Sequence, residues 1–353
     1  MADSEPQAAP AEPELTQVAP DVFELRLPIP WEDTHVNCFL LPDGDQVDMV
    51  DCGMSSQESF GLIAAALREL AGPRARLRRL LVTHIHPDHY GGAGEMTQRY
   101  GADLYLHRLE VPMVHPRYLE IEQLVEEVGR YLQMHGVPDA EADFLKNASR
   151  GFRQFVKPAL PVLQLDGTEV LELGRRRLRV EWTPGHSPGH VCLFDAQSRV
   201  LYAGDQLLPS ASPNIGLHPQ STPNPLDDYL AGLRRLVGLA PSLVLPAHGR
   251  PFRDAAGRAA ELEAHHRRRK EQMVAVIGEG ELDAWQVATA IWGVRENLHE
   301  MRMALQEGLA HLQSLSLEGR LEKRATAHAV TWRRASRESA STETSASAGK
   351  PSN

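Results

Sequence analysis

Residues 81–92 read LVTHIHPDHYGG, an apolar run that ends in three histidines and one aspartate packed into six positions, in a chain with 16 histidines over 353 residues. A short apolar run opening into polar residues is expected as a strand reaching the edge of a sheet. Along a strand ending at His84, side chains alternate faces, so His84 and His86 project to the same side and can bind one metal ion together. Pro87 breaks that strand. Asp88 and His89 then lie in the turn beyond it, and Gly91-Gly92 is expected to let the backbone bend sharply. These two side chains reach a neighbouring point rather than the same one, a spacing that suits two metals side by side.

The surrounding sequence sets this strand in an α/β core. Between about residues 21 and 106, DVFELRLPIP, HVNCFLL, QVDMVD, RRLLVTH and DLYLH read as strands, and SQESFGLIAAALREL reads as an amphipathic helix stopped by Gly72-Pro73. Residues 107–158 change to helix-type spacing and read as a helical insertion. Strands resume at LPVLQL, RRLRVEW, HVCLFD and RVLYAG, followed by the helix NPLDDYLAGLRRLVGL and the strand SLVLPAH. From 254 to 334 the order is helix, helix, helix and a basic alternating ribbon, as in a winged helix. The expected division is a sheet-bearing domain over 21–253 and a small domain over 254–334. Residues 1–20 and 335–353, rich in Ala, Pro and Glu or in Ser, Thr and Ala, can bury little apolar surface and read as disordered tails.

Composition narrows what such a chain does. Hydrophobic residues make up 42% of it, enough for a sizeable core. Cys38, Cys52 and Cys192 form no C-x-x-C pair and no disulfide framework, which fits a reducing cytoplasm. The acidic N-terminus lacks the basic start and apolar segment of a signal peptide, and nowhere do 18 apolar residues run together, so no membrane association is expected. A net charge of -10 repels phosphate backbones on average. A small-molecule partner is therefore favoured over nucleic acid.

Further polar residues stand at strand ends. EWTPGHSPGH puts His186 in a Pro-Gly turn, VLYAGDQ ends a strand with Asp205, and VLPAHGR ends another with His248. One such residue alone is an ordinary surface group, but loops at one edge of a sheet are where sites are built. In five ordered elements, MVDCG with Asp51, THIHPDH, TPGH, YAGD and PAHG, the chain resembles the metallo-β-lactamase superfamily over about residues 21–250. The resemblance implies an αββα sandwich, two mixed sheets face to face with helices outside, here with a helical insertion and a small C-terminal winged-helix domain. It also implies that His84, His86 and His186 hold one metal, that Asp88, His89 and His248 hold a second, and that Asp205 bridges both. Asp51 and His190 are expected to stand behind the ligands and orient them.

Imidazole-dominated nitrogen and oxygen ligation suits two Zn2+, with iron or manganese as alternatives. His86 stands where flavo-diiron relatives carry glutamate, and Asp205 where antibiotic-hydrolysing lactamases lack a bridging carboxylate. The resemblance thus points to the hydrolytic branch of glyoxalase II-like thioesterases, lactonases and RNA-processing nucleases. The expected mechanism is hydrolysis by a hydroxide generated between two cations, with Asp88 as the catalytic residue that orients it and accepts its proton. A small-molecule thioester, ester or lactone is the first expectation. A single-strand endoribonuclease is the second, and an iron-dependent persulfide dioxygenase, which shares the histidine motif, the third.

Substrate-binding residues are the least legible part. The insertion at 107–158 either folds over the metals as a lid or packs as core. His107, His35 and the loop LLPSASPNIGLHP after Asp205 are candidate pocket linings. The C-terminal module resembles a winged-helix domain found with related endoribonucleases, but its candidate recognition helix, NLHEMRMALQEGLAHLQSLSLEG, carries Glu300 and Glu307 against Arg302. HHRRRK at 265–270 is followed at once by Glu271, and the large inserted domain of the nucleic-acid-cleaving β-CASP branch is missing. The module is then expected to cover an apolar face or form a homodimer, around a core of Trp285, Ile291, Trp292 and Leu309.

Overall fold

Two facing sheets dominate the computed structural model, which describes residues 13–30 and 34–336. They belong to the first of two compact units, whose described residues fall in 13–123, 149–213 and 228–260. Strands β1 (Leu15–Ala19), β2 (Val22–Pro28), β3 (His35–Asp43), β4 (Gln46–Val50), β5 (Arg76–Leu81), β6 (Asp103–His107) and β7 (Leu163–Leu165) form one sheet in that order. Pairing is antiparallel up to β4 and parallel from β4 to β7. The second sheet contains β8 (Val170–Leu173), β9 (Arg176–Trp182), β10 (Val191–Asp195), β11 (Val200–Gly204) and β12 (Leu243–Pro246), ordered β12-β11-β10-β9-β8.

The continuous apolar run of β3 reflects burial on both faces. Phe39 and Leu41 point between the sheets, where they join Leu178, Val180, Leu193, Tyr202 and Leu245. Val36, Cys38 and Leu40 point outward to a layer that includes α1 (Gln57–Ala71), α2 (Pro87–Tyr90) and α3 (Ala93–Tyr100). Helix α1 starts where the Ser56 hydroxyl accepts from the Ser59 N–H at 3.0 Å. Its stripe of Phe60, Ile63 and Leu67 is buried, each contributing about 1.5–3 kcal/mol. After α4 (Val111–Val114), α5 (Glu122–Met134) and α6 (Asp139–Leu145), helix α7 (Pro225–Gly238) lies along the second sheet, with Arg235 donating to the Trp182 carbonyl at the end of β9. The layering is the expected αββα sandwich.

Strand direction decides where the polar residues gather. Strands β4, β5 and β6 are parallel, so their C-terminal ends share one edge of the first sheet. In the second sheet β9 and β11 are both antiparallel to β10, and β12 is parallel to β11, so these three also end at one edge. The two edges are stitched together: Val191 N–H donates to Thr83 O at 3.0 Å, and Asn37 N–H to Ala247 O at 2.7 Å. The Asn37 side-chain amide also donates to Pro246 O and Gly249 O, at 2.9 and 2.8 Å.

Three sequence readings change here. Leu15–Ala19, within the segment read as an N-terminal tail, is edge strand β1, because it finds a pairing partner in β2. The remaining tail residues, 1–12 and 337–353, lie outside the described ones. Strand β5 stops at Leu81, short of His84. Gly91 has an ordinary helical backbone, and it is required by close approach rather than by a sharp bend: a Cβ there would fall 2.3 Å from Pro87 O and 2.5 Å from Phe155 O.

The second unit has its described residues in 124–148, 214–227 and 261–336. Helices α8 (Ala255–Ile277), α9 (Ala284–Trp292) and α10 (Leu298–Leu317) accompany a three-stranded antiparallel sheet of β13 (Glu281–Asp283), β14 (Leu321–Ala325) and β15 (Val330–Arg334), ordered β13-β15-β14. Its core joins Leu132 and Leu145, from α5 and α6, to Met273, Val287, Leu305, Leu309 and Trp332. The stretch 107–158 is thus divided, its middle serving as core here while 107–123 and 149–158 belong to the first unit. The fully buried tryptophan of this core is Trp332, whereas Trp285, Ile291 and Trp292 pack at its margin.

Candidate metal centre

Beyond β5 the chain runs through Val82–His86 without regular structure, then enters α2 at Pro87. The proline disfavours helical geometry in the residue before it, and His86 is extended, at φ -60° and ψ 151°. That extension separates the His86 ring from the side chains of Asp88 and His89 on the following helical turn. His84, His86 and His186 converge: His84 Nε2 and His86 Nδ1 lie 2.9 Å apart, and His186 Nε2 is 3.2 and 3.0 Å from them. Beside them, Asp88 Oδ2 is 3.2 Å from His248 Nε2 and 3.5 Å from His89 Nε2.

Asp205 serves both groups. Its Oδ2 is 3.3 Å from His186 Nε2, while its Oδ1 is 3.4 Å from His248 Nε2 and 3.6 Å from His89 Nε2. The ligand atoms of His84, His86 and His186, of His84, His89 and Asp205, and of Asp88, His89 and His248 each fall within 4.8 Å of one another, so each set can hold a metal ion.

Residues behind the rings set which nitrogen faces the centre. Asp51 Oδ2 lies 2.8 Å from His89 Nδ1, and its carboxylate also accepts from Thr83 N–H and Thr83 Oγ1 at 2.7 and 2.9 Å. With the Thr83 hydroxyl committed to Asp51, His84 Nδ1–H donates to Thr83 Oγ1 at 3.1 Å and leaves Nε2 with a lone pair. His248 Nδ1 likewise donates to His35 O at 3.0 Å, so His35 contributes its carbonyl here. His190 stands apart from the three ligand sets: its Nε2 accepts from the Asp205 N–H at 3.0 Å, and its Nδ1 lies 2.8 Å from Thr183 Oγ1. His107 is buried and its ring stacks on Trp182, with centroids 5.7 Å apart.

The two groups differ in charge. Burial first, then the neighbouring histidines, push His84 well below the usual imidazole range; burial and His186 do the same for His86. Burial also opposes the charged form of His89, but Asp88, Asp205 and Asp51 raise it well above that range. Against burial, Asp205 and Asp88 lift His248 to about 9. Burial works against ionisation of Asp88 and Asp205, yet the adjacent His89 and His248 hold both carboxyls below the ordinary carboxylate range. Metal binds neutral imidazoles and ionised carboxylates, so His84, His86, Asp88 and Asp205 are in the binding form, whereas His89 and His248 would give up a proton to a cation.

The donor set fits divalent cations. His89 Nε2 and Asp205 Oδ1 are buried with no hydrogen-bond partner, although an unsatisfied buried polar group costs about 1–3 kcal/mol. A cation between them removes that cost. Sequence reasoning missed Thr83 and Asn37. The first sits inside the motif as a small polar residue before His84. The second, a polar residue in the apolar strand HVNCFLL, was the only signal for a side chain that clasps the His248 loop.

Comparison with known proteins agrees with this geometry. The model of the metallo-beta-lactamase superfamily matches residues 31–248, and the chain belongs to that superfamily. A crystal structure of a metallo-beta-lactamase family protein from Thermus thermophilus is 33% identical, with a TM-score of 0.77, covering 90% of this chain and 100% of that one. A probable metallo-hydrolase of Bacillus subtilis (strain 168) is 25% identical over 311 residues, 84% of this chain and 93% of the relative. An acyl-coenzyme A thioesterase of Homo sapiens is 30% identical over 232 residues, 62% of this chain and 74% of the relative. Among the described residues no helix is long and apolar enough to cross a membrane.

Proposed function

We propose that the chain is a dinuclear metal hydrolase acting on a small-molecule thioester. The observation that carries the hydrolase reading is the junction at Asp205, whose two oxygens face two adjacent sets of ligand atoms. His84, His86 and His186 would hold one ion, Asp88, His89 and His248 the other, and Asp205 both. Nitrogen and oxygen donors with imidazole in the majority favour zinc, with iron or manganese as the alternatives. When bound, the two cations supply Lewis acidity, which acidifies water and polarises an acyl carbonyl. Asp88 Oδ2, 3.2 Å from His248 Nε2 within the centre, would accept the proton that water loses as its oxygen bonds to the acyl carbon. The C–S bond then breaks, and the thiolate leaves and takes up a proton.

Similarity to the acyl-coenzyme A thioesterase supports a thioester over an ester or lactone. The ribonuclease reading has less support. Most of α10, the candidate recognition helix, is buried, including Arg302, so it offers little cationic surface to a phosphate backbone. The C-terminal helices and ribbon are read as a winged-helix-like packing module. All three cysteines are free and buried, which supports a cytoplasmic setting.

The test is a panel of acyl-coenzyme A thioesters, lactones and oligoribonucleotides, run with metal analysis of the purified chain. Thioester turnover with about two equivalents of zinc is expected. Iron content with persulfide oxidation favours the dioxygenase instead. Turnover that survives replacement of both His84 and His86 by alanine sinks the metal mechanism.

A further inference from the structure

A buried carboxyl group that the reaction above does not use connects the two loops carrying the first three histidines. Glu110 is fully buried at the start of α4, just after strand β6. Its Oε2 accepts from the Ile85 N–H at 2.9 Å, and its Oε1 accepts from the Gly189 N–H at 2.5 Å. Ile85 is the residue between His84 and His86; Gly189 follows His186 by three. One side chain therefore spans the gap between the THIHPDH and TPGHSPGH loops.

The Ile85 peptide is held from its other side as well. The Tyr118 hydroxyl donates to Ile85 O at 2.6 Å, and the Ile85 side chain is buried in the core beneath the first sheet. Tyr118 stacks on Tyr90, whose hydroxyl accepts from Ala159 N–H at 2.8 Å and so ties the same cluster to the chain just after the inserted stretch. Gly189 meets the complementary requirement. A Cβ there would lie 2.7 Å from both Glu110 Cγ and His107 Nδ1, so only glycine lets the loop approach the carboxyl group.

We infer that Glu110 is a positioning residue of the metal centre, setting the separation of His84 and His86 from His186, with Tyr118 as its accessory on the Ile85 carbonyl. This rests on the reading of those three histidines as metal ligands. The bond pattern makes the role specific: two convergent N–H donors need an acceptor at both oxygens, and an amide of the same shape presents a donor to one of them. The group of Asp88, His89 and His248 receives no hydrogen bond from Glu110, so the two halves of the centre should respond differently.

The experiment titrates the metal-stripped full chain with Zn2+ in competition with a chromophoric chelator, and with Co2+ followed by its d–d absorption. His186→Ala and His248→Ala assign the two sites. Glu110→Gln is expected to weaken the three-histidine site by about 10–100-fold, the usual range for outer partners of ligands, and to alter its Co2+ spectrum while the other site stays within about threefold. Tyr118→Phe should shift the same site in the same direction by less, which keeps the test alive if Glu110→Gln does not fold. Unchanged affinity at the three-histidine site in the variants, or a loss spread equally over both sites, overturns the inference. A wild-type chain that binds neither cation overturns instead the metal-centre reading beneath it.

Discussion

Buried histidines occur in two places in this protein, and they behave differently. In the first unit, rings converge on shared points together with Asp88 and Asp205, so that their ligand atoms lie within 4.8 Å of one another in three sets. In the second unit, His266 Nδ1 and His311 Nε2 are 3.1 Å apart, and His311 Nδ1 donates to Glu307 O at 2.8 Å. Nearby Lys270 is matched by Ser314 and Glu318. The second pair belongs to no set of converging histidine and carboxylate ligand atoms among the described residues, and burial first, then the neighbouring cations and histidines, keeps it neutral. Histidine burial is common to both; convergence with carboxylates is what makes a cation site.

The largest expected break in this contrast is Asp205→Asn, which removes the charge shared by both ligand sets. Lewis-acid assistance is worth several kcal/mol, so kcat/KM should fall about a thousandfold, and metal analysis should show less than two equivalents. Asp51→Asn comes next. It frees His89 Nδ1 from its carboxylate, and metal affinity should drop about 10–100-fold, measured by chelator competition with the fold intact by circular dichroism. His311→Ala sharpens the other side of the comparison: activity and metal content should stay unchanged, while denaturant unfolding reports a loss of about 1–3 kcal/mol.

An effect of similar size is expected in acid. Burial first, then the neighbouring histidines, Lys270 and Arg269, lowers His266 to about 2 and His311 to about 3, whereas their ordinary value is 6.5. The unfolded chain therefore takes up protons first as pH falls below 6.5. Stability from the neutral pair is complete above that pH and declines towards the folded values, by on the order of 1 kcal/mol per pH unit for each ring. The stability gap between wild type and the double variant His266→Ala, His311→Ala should thus narrow between pH 7 and pH 5. A gap that widens would show the rings gaining charge in the fold.

The metal centre was far more legible than its supports. Each candidate ligand follows a strand or starts a turn, so local pattern exposes it: THIHPDH, TPGH, YAGD and PAHG are short, and their polar residues interrupt apolar runs. Asn37 acts on residues 209 and 212 positions away, and Glu110 on residues 25 before and 79 after it, so no local spacing carries either role. The division of the insertion between the two units is hidden from the sequence for the same reason. Amphipathic spacing in α5 and α6 shows that a face must be buried, but not against which partner; the core shared by Leu132, Leu145 and Trp332 supplies that.

By itself the sequence determined which residues are candidate ligands, the strands that deliver them and the division of the THIHPDH motif at Pro87, because these depend on side-chain type and on backbone preferences spanning a few residues. Only the tertiary structure decided which imidazole nitrogen faces the centre, how Asp205 divides its two oxygens and which residues hold the loops apart. Those outcomes depend on hydrogen bonds between segments that meet when strand direction brings both sheets' edges together, and a donor has no assigned acceptor until the fold supplies one.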